Sequence, residues 1–281
     1  MLATRLIPVL NILNGHIVRS EDFSIHQKIG NVVDEAKRFN EWNADELICL
    51  DISREKVYDL GREDHKTQSY HTLSQILHLI SQYCSIPLTF GGGIRTMEQV
   101  DDLIRNGADK ITLNTIATEN PEFITEVAKK YGSQAIVVSV DYKLEEGMAT
   151  VYSNFGTKKI SQYPSIPISQ YPGIPISQYP SIPISQFVKN LEHLGAGEIF
   201  LNSIDRDGKG NGYDIETIGR VVESTKLPVV ACGGAGTMDD FLNLAKATKV
   251  SGIAAGNIFH FTERAYPKAK KYLKENGINV R

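Results

Sequence analysis

Short apolar stretches rich in β-branched residues alternate along the chain with longer segments in which apolar residues recur every three or four positions. The short stretches predict eight β-strands, at residues 5–11, 46–51, 86–90, 110–114, 135–141, 198–203, 227–232 and 252–255. The longer segments predict helices at residues 31–42, 73–80, 119–130, 214–224 and 266–274. Continuous apolar strands are typical of parallel strands that are buried on both faces. The pattern therefore predicts a single (β/α)8 TIM barrel over residues 1–281, with a doubly wound open sheet as the alternative.

The two halves of the chain repeat each other. The segment "IPLTFGGGI" (86–94) is matched by "LPVVACGGAG" (227–236), and the first predicted strand is matched by the fifth. A repeat of four βα units in each half is typical of a barrel built by duplication. The repeat places Asn11 and Asp141 at equivalent strand ends on opposite sides of the barrel mouth.

One segment, residues 160–187, belongs to neither half. It contains the octapeptide "ISQYPSIP" or a close variant three times, followed by "ISQF", and it holds six of the eleven prolines of the chain. Two prolines per unit exclude a helix or a central strand. We expect an extended loop between the fifth strand and the fifth helix, on the C-terminal face. Because long loops cost little entropy, a tolerated tandem duplication is favoured over a lid or a partner-binding segment.

Composition narrows the class of protein. The 30 Lys and Arg residues against 33 Asp and Glu residues give no basic surface for nucleic acid or membrane, so a small-molecule substrate is expected. Cys49, Cys84 and Cys232 are widely separated within apolar runs, which indicates reduced core thiols and neither a disulfide framework nor a metal site. No signal-like segment and no 18-residue apolar run is present, so we expect an unprocessed cytoplasmic protein without a cofactor.

Polar residues and glycines stand where the predicted strands end, which is the active-site face of a parallel barrel. The polar strand ends are Asn11, Asp51, Asn114, Asp141, Asn202 and Ser203. Glycine pairs Gly92–Gly93 and Gly233–Gly234 precede helices, where backbone N–H groups and the helix dipole favour a bound anion, although a tight turn also requires glycine. Residues after the fourth and eighth strands complete two predicted phosphate sites: Asn114, Thr115, Gly256 and Asn257. The sequence thus predicts a ligand with two phosphates.

A loop rich in Asp and Gly, residues 202–214, follows the sixth strand. It places Asp205 and Asp207 over the predicted barrel mouth, although local capping of the turn would also explain them. With this loop the sequence resembles a known family, on the motifs "GGGI" (91–94), "YGSQAIVVSVD" (131–141), "IDRDG" (204–208), "GGAG" (233–236) and the ending "KKYLKENGINVR" (270–281). The family is the cyclase subunit of imidazole glycerol phosphate synthase, and the resemblance covers nearly the whole chain apart from residues 160–187.

The resemblance implies an activity and a partner. Such a barrel receives ammonia from a glutaminase subunit. It converts a bisphosphorylated ribulose-formimino aminoimidazole carboxamide ribotide into imidazole glycerol phosphate and aminoimidazole carboxamide ribotide, in histidine biosynthesis. Two aspartates, at the ends of the first and fifth strands, act as general acid and base in the family. Asp141 matches the second aspartate, whereas Asn11 occupies the position of the first.

The resemblance also assigns roles to other residues. The family's charged ammonia gate at the bottom of the barrel is matched by Arg5, Glu46, Lys110 and Glu198, with Asp109 beside it at the expected partner interface. Arg19 replaces a family lysine on the loop that closes over the substrate, and Asn202 stands where the family commonly has threonine. We expect Asp51 and Asp207 to complete the substrate site.

Three functions remain open at the level of sequence. The first is a cyclase in which Asp51, Asp205 or Asp207 assists Asp141 in place of Asn11. The second is a cyclase-like paralogue that relays ammonia to a sugar amidotransferase in surface polysaccharide synthesis. The third is a catalytically silent scaffold for a glutaminase. An isomerase on the same duplicated barrel is a further alternative, but it would not need the charged gate.

Overall fold

The computed structural model describes residues 3–55, 58, 72–161, 183–261 and 263–281. Its strands are β1 (Arg5–Leu13), β2 (His16–Glu21), β3 (Ile25–Asn31), β4 (Leu47–Asp51), β5 (Leu88–Gly91), β6 (Lys110–Leu113), β7 (Ile136–Glu145), β8 (Met148–Ser153), β9 (Lys158–Lys159), β10 (Glu198–Ser203), β11 (Val229–Cys232) and β12 (Gly252–Ala255). Its helices are α1 (Val32–Glu41), α2 (Leu73–Tyr83), α3 (Met97–Arg105), α4 (Thr115–Glu119), α5 (Glu122–Tyr131), α6 (Ile184–Leu194), α7 (Ile215–Ser224), α8 (Met238–Ala247), α9 (Ile258–Phe261) and α10 (Ala265–Glu275).

Eight of these strands close into a parallel barrel. The order around it is β1, β4, β5, β6, β7, β10, β11 and β12, and β12 pairs again with β1 through partners such as Ile7 and Ala254. The predicted fold class is therefore confirmed. Every predicted strand is present within a few residues of its expected bounds, and the open-sheet alternative is wrong because the first and last strands are hydrogen-bonded neighbours.

The barrel interior contains a small apolar layer that is separate from the large core between the strands and the helices. Its buried members are Ile7, Val9, Ile48, Val137, Phe200, Val230 and Ala254. In a strand every second side chain points to the same face, so residues two positions before and after this layer also face inward. The layer therefore separates a bottom set of inward residues from a top set.

Threonine side chains begin three of the helices. Thr72, Thr96 and Thr237 each cap a helix and form a capping box with the third helical residue of α2, α3 and α8. Thr96 and Thr237 follow the two glycine clusters at equivalent positions of the repeat. These caps fix where α3 and α8 begin, and so where their N-termini meet the barrel mouth.

Two antiparallel hairpins extend the first and fifth barrel strands beyond the barrel. The strand β1 continues into β2 and β3, and β7 continues into β8 and β9. They occupy equivalent places in the two halves, in agreement with the predicted repeat. The sequence analysis missed them because the hairpin strands are mostly half-exposed or exposed and carry no clear apolar alternation, as in Ile25–Asn31.

Two further features concern the cysteines and the lengths of the helices. The three cysteines are free thiols, with Cys49 buried and the other two partly buried. Within the described part of the chain, every helix is too short or too polar to cross a membrane.

The octapeptide segment begins after β9, at the end of the second hairpin. Residues 162–182 lie outside the described residues, so the predicted extended loop is not tested there. The last four residues of the predicted loop, 184–187, instead form the first turn of α6. This unit reads "ISQF" and lacks the two prolines of each earlier unit, so it can adopt helical backbone, with Pro183 immediately before the helix.

The two ends of the octapeptide segment are in register with the same strand. The Ile160 N–H donates to the Val151 carbonyl, and Pro183 forms an antiparallel bridge with Thr150. Since β8 and β9 pair with Tyr152 opposite Lys159, the residue expected opposite Thr150 is Ser161. Pro183 thus occupies the place that the residue after Ile160 would take.

We predict that deleting residues 161–182, which joins Ile160 directly to Pro183, leaves the barrel folded. The free energy of unfolding should rise by roughly 1–3 kcal/mol, because a long loop no longer has to be closed. Urea denaturation of the two proteins measures the difference. Removal of the single unit 168–175 serves as the matched control and should give a smaller rise, whereas loss of cooperative unfolding on removing residues 161–182 would contradict the register argument.

Candidate active site

A cavity of about 990 Å³ lies at the C-terminal ends of the barrel strands. It brings together all but two of the residues that the sequence predicted to contact the substrate or to transfer protons. Those that line it are Asn11, Asp51, Gly92, Gly93, Asn114, Thr115, Asp141, Asn202, Asp207, Gly233, Gly234, Gly256 and Asn257. Arg19 and Asp205 are the exceptions.

Asp141, on β7, is one of the ionisable groups of the cavity wall. Its carboxyl accepts hydrogen bonds from the Asn114 amide (3.0 Å) and the Ser139 hydroxyl (3.1 Å). Burial raises the pKa of Asp141 to about 7, although these two hydrogen bonds act in the opposite direction. A carboxyl with a pKa near neutrality can both give and accept a proton at physiological pH, which suits a general acid or base.

Asn11 lies on β1, where its backbone is paired with Val18 on one side and Leu50 on the other. Its side chain lines the cavity and makes no hydrogen bond to another residue of the described part of the chain. The amide is therefore free to donate to or accept from a ligand, but it cannot transfer a proton at neutral pH.

Asn202, on β10, stands directly beside Asp141 in the parallel register of the barrel. Its Oδ1 atom is buried and has no hydrogen-bond partner among the described residues, and the same is true of the Thr112 Oγ1 atom. Both residues line the cavity. Buried polar atoms are nearly always paired, so these two acceptors are available for a ligand or water at the cavity floor.

The two glycine clusters line opposite parts of the cavity wall. A side chain at Gly92 would place Cβ 2.1 Å from the Asp51 carbonyl oxygen, and one at Gly234 would place it 2.1 Å from the Gly212 carbonyl oxygen. Both residues also have positive φ angles, of 127° and 101°. Packing alone thus requires glycine there. The clusters still lie just before the capped N-termini of α3 and α8, an arrangement that suits phosphate binding.

Asp51 packs against the first of these turns, where its backbone carbonyl faces Gly92. It is 2% exposed, and its carboxylate accepts hydrogen bonds from the Tyr58 hydroxyl (2.6 Å) and the Ser53 N–H (3.1 Å). These bonds hold Ser53 and Tyr58 against the end of β4. Sequence reasoning missed Tyr58, because a tyrosine between two predicted elements gives no signal of its own.

Asp207 anchors the first hairpin over the cavity. Its carboxylate accepts from the Ser20 hydroxyl (2.6 Å) and the Phe23 N–H (3.2 Å), and burial raises its pKa. Asn257 holds the same hairpin, because its amide donates to the Ser20 carbonyl (2.9 Å). The predicted substrate residues Asp207 and Asn257 therefore also join the hairpin to the loops of the second half.

The structure does not bring Arg19 to the cavity. Its guanidinium pairs with Glu21 at 3.3 Å and lies over the Phe261 ring at 5.7 Å, outside the residues that line the site. Asp205 also lies away from it and accepts from the Leu144 N–H at 2.6 Å. The alternation of side chains in β2 explains the position of Arg19, because Ser20 takes the inward place beside it.

Several residues of the cavity wall were not found from the sequence. They include Phe23, His26, Arg54, Arg95, Lys143 and Phe155. Most belong to the hairpins or their turns, and only the folded hairpins carry them to the mouth. Arg54, Arg95 and Lys143 add positive charge to a wall that also holds Asp141 and Asp207.

The four charged residues predicted at the bottom of the barrel form one closed ring. Arg5 pairs with Glu46 (2.6 Å) and with Glu198, and Lys110 pairs with Glu46 (3.1 Å) and Glu198 (2.8 Å). Burial acts to raise the pKa of Glu46, but Lys110 and Arg5 outweigh it and lower this pKa. Glu46 thus stays ionised, and the apolar layer separates the ring from the cavity.

Comparison with known proteins agrees with this geometry. A family described as "Histidine biosynthesis protein" matches residues 5–264. Over the whole of both chains, the sequence is 36% identical to the imidazole glycerol phosphate synthase subunit HisF of Natranaerobius thermophilus. It is 37% identical to that of Leuconostoc mesenteroides, over this whole chain and 99% of the relative, and 36% identical over both whole chains to that of Hydrogenobaculum sp.. The chain therefore belongs to the histidine biosynthesis protein family, as a HisF-type cyclase of imidazole glycerol phosphate synthase.

Proposed function

We propose that this barrel is the ammonia-dependent cyclase that acts in histidine biosynthesis. Its substrate would be the bisphosphorylated ribulose-formimino aminoimidazole carboxamide ribotide, and its products imidazole glycerol phosphate and aminoimidazole carboxamide ribotide. The observation that carries the proposal is Asp141, a buried carboxyl with a pKa of about 7 in a cavity lined by two glycine clusters. The full-length relatives named as subunit HisF support the same activity.

Asp141 would exchange the protons of the reaction. Ring closure by ammonia requires that protons leave the attacking nitrogen and reach the leaving groups. The hydrogen bonds from Asn114 and Ser139 fix the carboxyl in one orientation, so it can serve consecutive steps. Phosphates of the substrate would bind at the N-termini of α3 and α8, which holds the reacting atoms between Asn11 and Asp141.

Asn11 would position the substrate without transferring a proton. Of the carboxylates suggested as substitutes, Asp51 is engaged by Tyr58 and Asp205 lies outside the cavity wall. Asp207 lines the cavity and has a raised pKa, but Ser20 and Phe23 occupy one of its oxygens. We therefore propose that cyclisation depends on Asp141 and is slowed by the amide at position 11.

Ammonia would enter from a glutaminase subunit bound beneath the barrel, in a heterodimer. The ionic ring of Arg5, Glu46, Lys110 and Glu198 lies at that end, and Asp109, whose carboxylate accepts from the Leu88 N–H (2.8 Å), lies next to Lys110. An apolar layer above the ring would pass neutral ammonia more readily than ammonium.

The other hypotheses receive less support. The relatives reported above are all named as the synthase subunit, which favours the cyclase over an ammonia relay for sugar amidation or a silent scaffold. The relay is favoured by the changes at Asn11, Asn202 and Arg19 and by the octapeptide insertion. Of these, the amide at position 11 has the clearest consequence, because it removes a proton-transfer group and leaves the charged ring and the cavity in place. The activity of the Asn11→Asp variant separates the cyclase from the relay.

We predict that Asn11→Asp accelerates ammonia-dependent cyclisation by about 10²–10⁴-fold, the usual contribution of a general acid or base. The assay supplies ammonium salt and the ribulose-formimino nucleotide to the purified chain and follows product formation. Asp141→Asn should abolish turnover in both backgrounds. Equal activity of Asn11→Asp and the wild type would refute a limiting role for the amide, and inactivity of both would favour the relay or scaffold.

The raised pKa of Asp141 makes a prediction about stability. Since burial raises this pKa from 3.8 to about 7, the folded protein binds the proton more tightly than the unfolded chain does. The protonated carboxyl of Asp141 therefore contributes roughly 4 kcal/mol to the free energy of unfolding below pH 3.8. This contribution is lost as the pH rises to about 7. Asp141→Asn should remove this loss, so its stability relative to the wild type should increase across that window. Urea denaturation at several pH values measures it, and a pH-independent difference would contradict the assignment.

We predict that Lys110→Met lowers product formation from glutamine in the heterodimer more than product formation from ammonium salt. Loss of the cation leaves Glu46 and Glu198 with only Arg5, which disturbs the ring without touching the cavity. The ratio of the two rates is the measurement. Lys110→Arg, which keeps the charge, serves as the control, and an unchanged ratio in Lys110→Met would argue against ammonia entry through the ring.

A further inference from the structure

The turn between β8 and β9 holds an aromatic residue in an unusual conformation at the cavity mouth. Asn154, Phe155 and Gly156 all have positive φ angles, of 51°, 58° and 72°. Asparagine and glycine tolerate this region, but a bulky side chain rarely adopts it. Phe155 nevertheless lines the cavity and remains 37% exposed. The turn thus presents an aromatic ring to the cavity despite backbone strain.

Arg54 reaches the same ring from the other side of the mouth. It follows β4, three barrel strands away from β7, and its guanidinium lies 5.5 Å from the centre of the Phe155 ring. Both residues line the cavity. A guanidinium and an aromatic ring in contact form a flat, polarisable surface, which suits stacking of a planar heterocycle.

The surface formed by Phe155 and Arg54, called the platform below, is linked to one of the two predicted phosphate sites. The Asn154 N–H donates to the Thr115 hydroxyl at 3.3 Å, so the turn is hydrogen-bonded to the site formed by Gly92, Gly93, Asn114 and Thr115. The second phosphate site, at Gly233, Gly234, Gly256 and Asn257, belongs to the loops after β11 and β12. A ligand on the platform would therefore place its own phosphate in the site of the first half.

We propose that Phe155 and Arg54 form a stacking platform for the aminoimidazole carboxamide base, and that the ribotide end of the substrate binds in the first half of the barrel. This inference rests on the proposed function, since the cyclase substrate carries such a base at one end only. The end that becomes imidazole glycerol phosphate then lies toward the second half. Phe155 and Arg54 are specificity-determining residues in this assignment, and proton transfer stays with Asp141.

The two products test the assignment because each carries one end of the substrate. Isothermal titration of the full chain with aminoimidazole carboxamide ribotide, and separately with imidazole glycerol phosphate, measures each end without turnover. Phe155→Leu should weaken binding of the ribotide by about tenfold, the scale of a lost base–aromatic stack. Binding of imidazole glycerol phosphate should be unchanged. Arg54→Met should show the same selectivity with a smaller loss.

Two further variants serve as controls for this experiment. Phe155→Asn removes the ring but suits the left-handed backbone, so it should unfold at an equal or higher temperature than the wild type while losing the same ribotide affinity. Phe261→Leu is the matched control, because Arg19 lies 5.7 Å from that ring and neither residue lines the cavity. It should leave the binding of both products unchanged.

The outcomes separate the inference from the proposed function. Failure of both products to bind to the wild type would overturn the proposed function. Binding of both products, with equal or no loss of the ribotide and imidazole glycerol phosphate in Phe155→Leu and Phe155→Asn, would overturn the stacking platform alone. Selective loss of imidazole glycerol phosphate would reverse the assigned orientation and so overturn it as well.

Discussion

The inward alternation of side chains in a closed parallel barrel is the constraint on which the rest of this structure depends. Each barrel strand points every second residue toward the axis, so β1 contributes Arg5, Ile7, Val9 and Asn11 in turn. The strand β10 contributes Glu198, Phe200 and Asn202 in the same way. Stacked around the axis, these residues make a charged ring at the bottom, an apolar layer in the middle and a polar cavity at the top. One geometric period therefore separates the charged ring, the apolar layer and the polar cavity along the barrel axis.

Burial at the top of this stack determines the chemical character of the site. Asp141 keeps two hydrogen-bond donors, yet loss of water around it dominates and brings its pKa to about 7. At the bottom the balance is reversed, because Glu46 meets both Arg5 and Lys110 and remains ionised despite its burial. The same carboxyl group thus titrates near neutrality in one layer and forms a structural ion pair in another.

The two hairpins adapt a duplicated scaffold to this site. Both extend the first strand of a half, and each carries residues to the cavity mouth that the barrel strands themselves do not supply. The first is fixed by hydrogen bonds from Ser20 to Asp207 and from Asn257 to Ser20. The second presents Phe155 at the mouth, and only beyond it does the octapeptide segment begin.

The sequence by itself determined the barrel, its repeat and the polar residues at the ends of the barrel strands that line the cavity. These features follow from residue periods of two and three to four and from strand ends, which are local properties of the chain. Only the tertiary structure decided which side chains the hairpins bring to the mouth, that Arg19 faces Phe261, and that residues 184–187 join a helix. It also decided that Tyr58 holds Asp51 and that the carboxyl of Asp141 is buried deeply enough to titrate near neutrality. Contacts between distant segments and the loss of solvent around a group depend on how the elements pack, and no local pattern of residues records them.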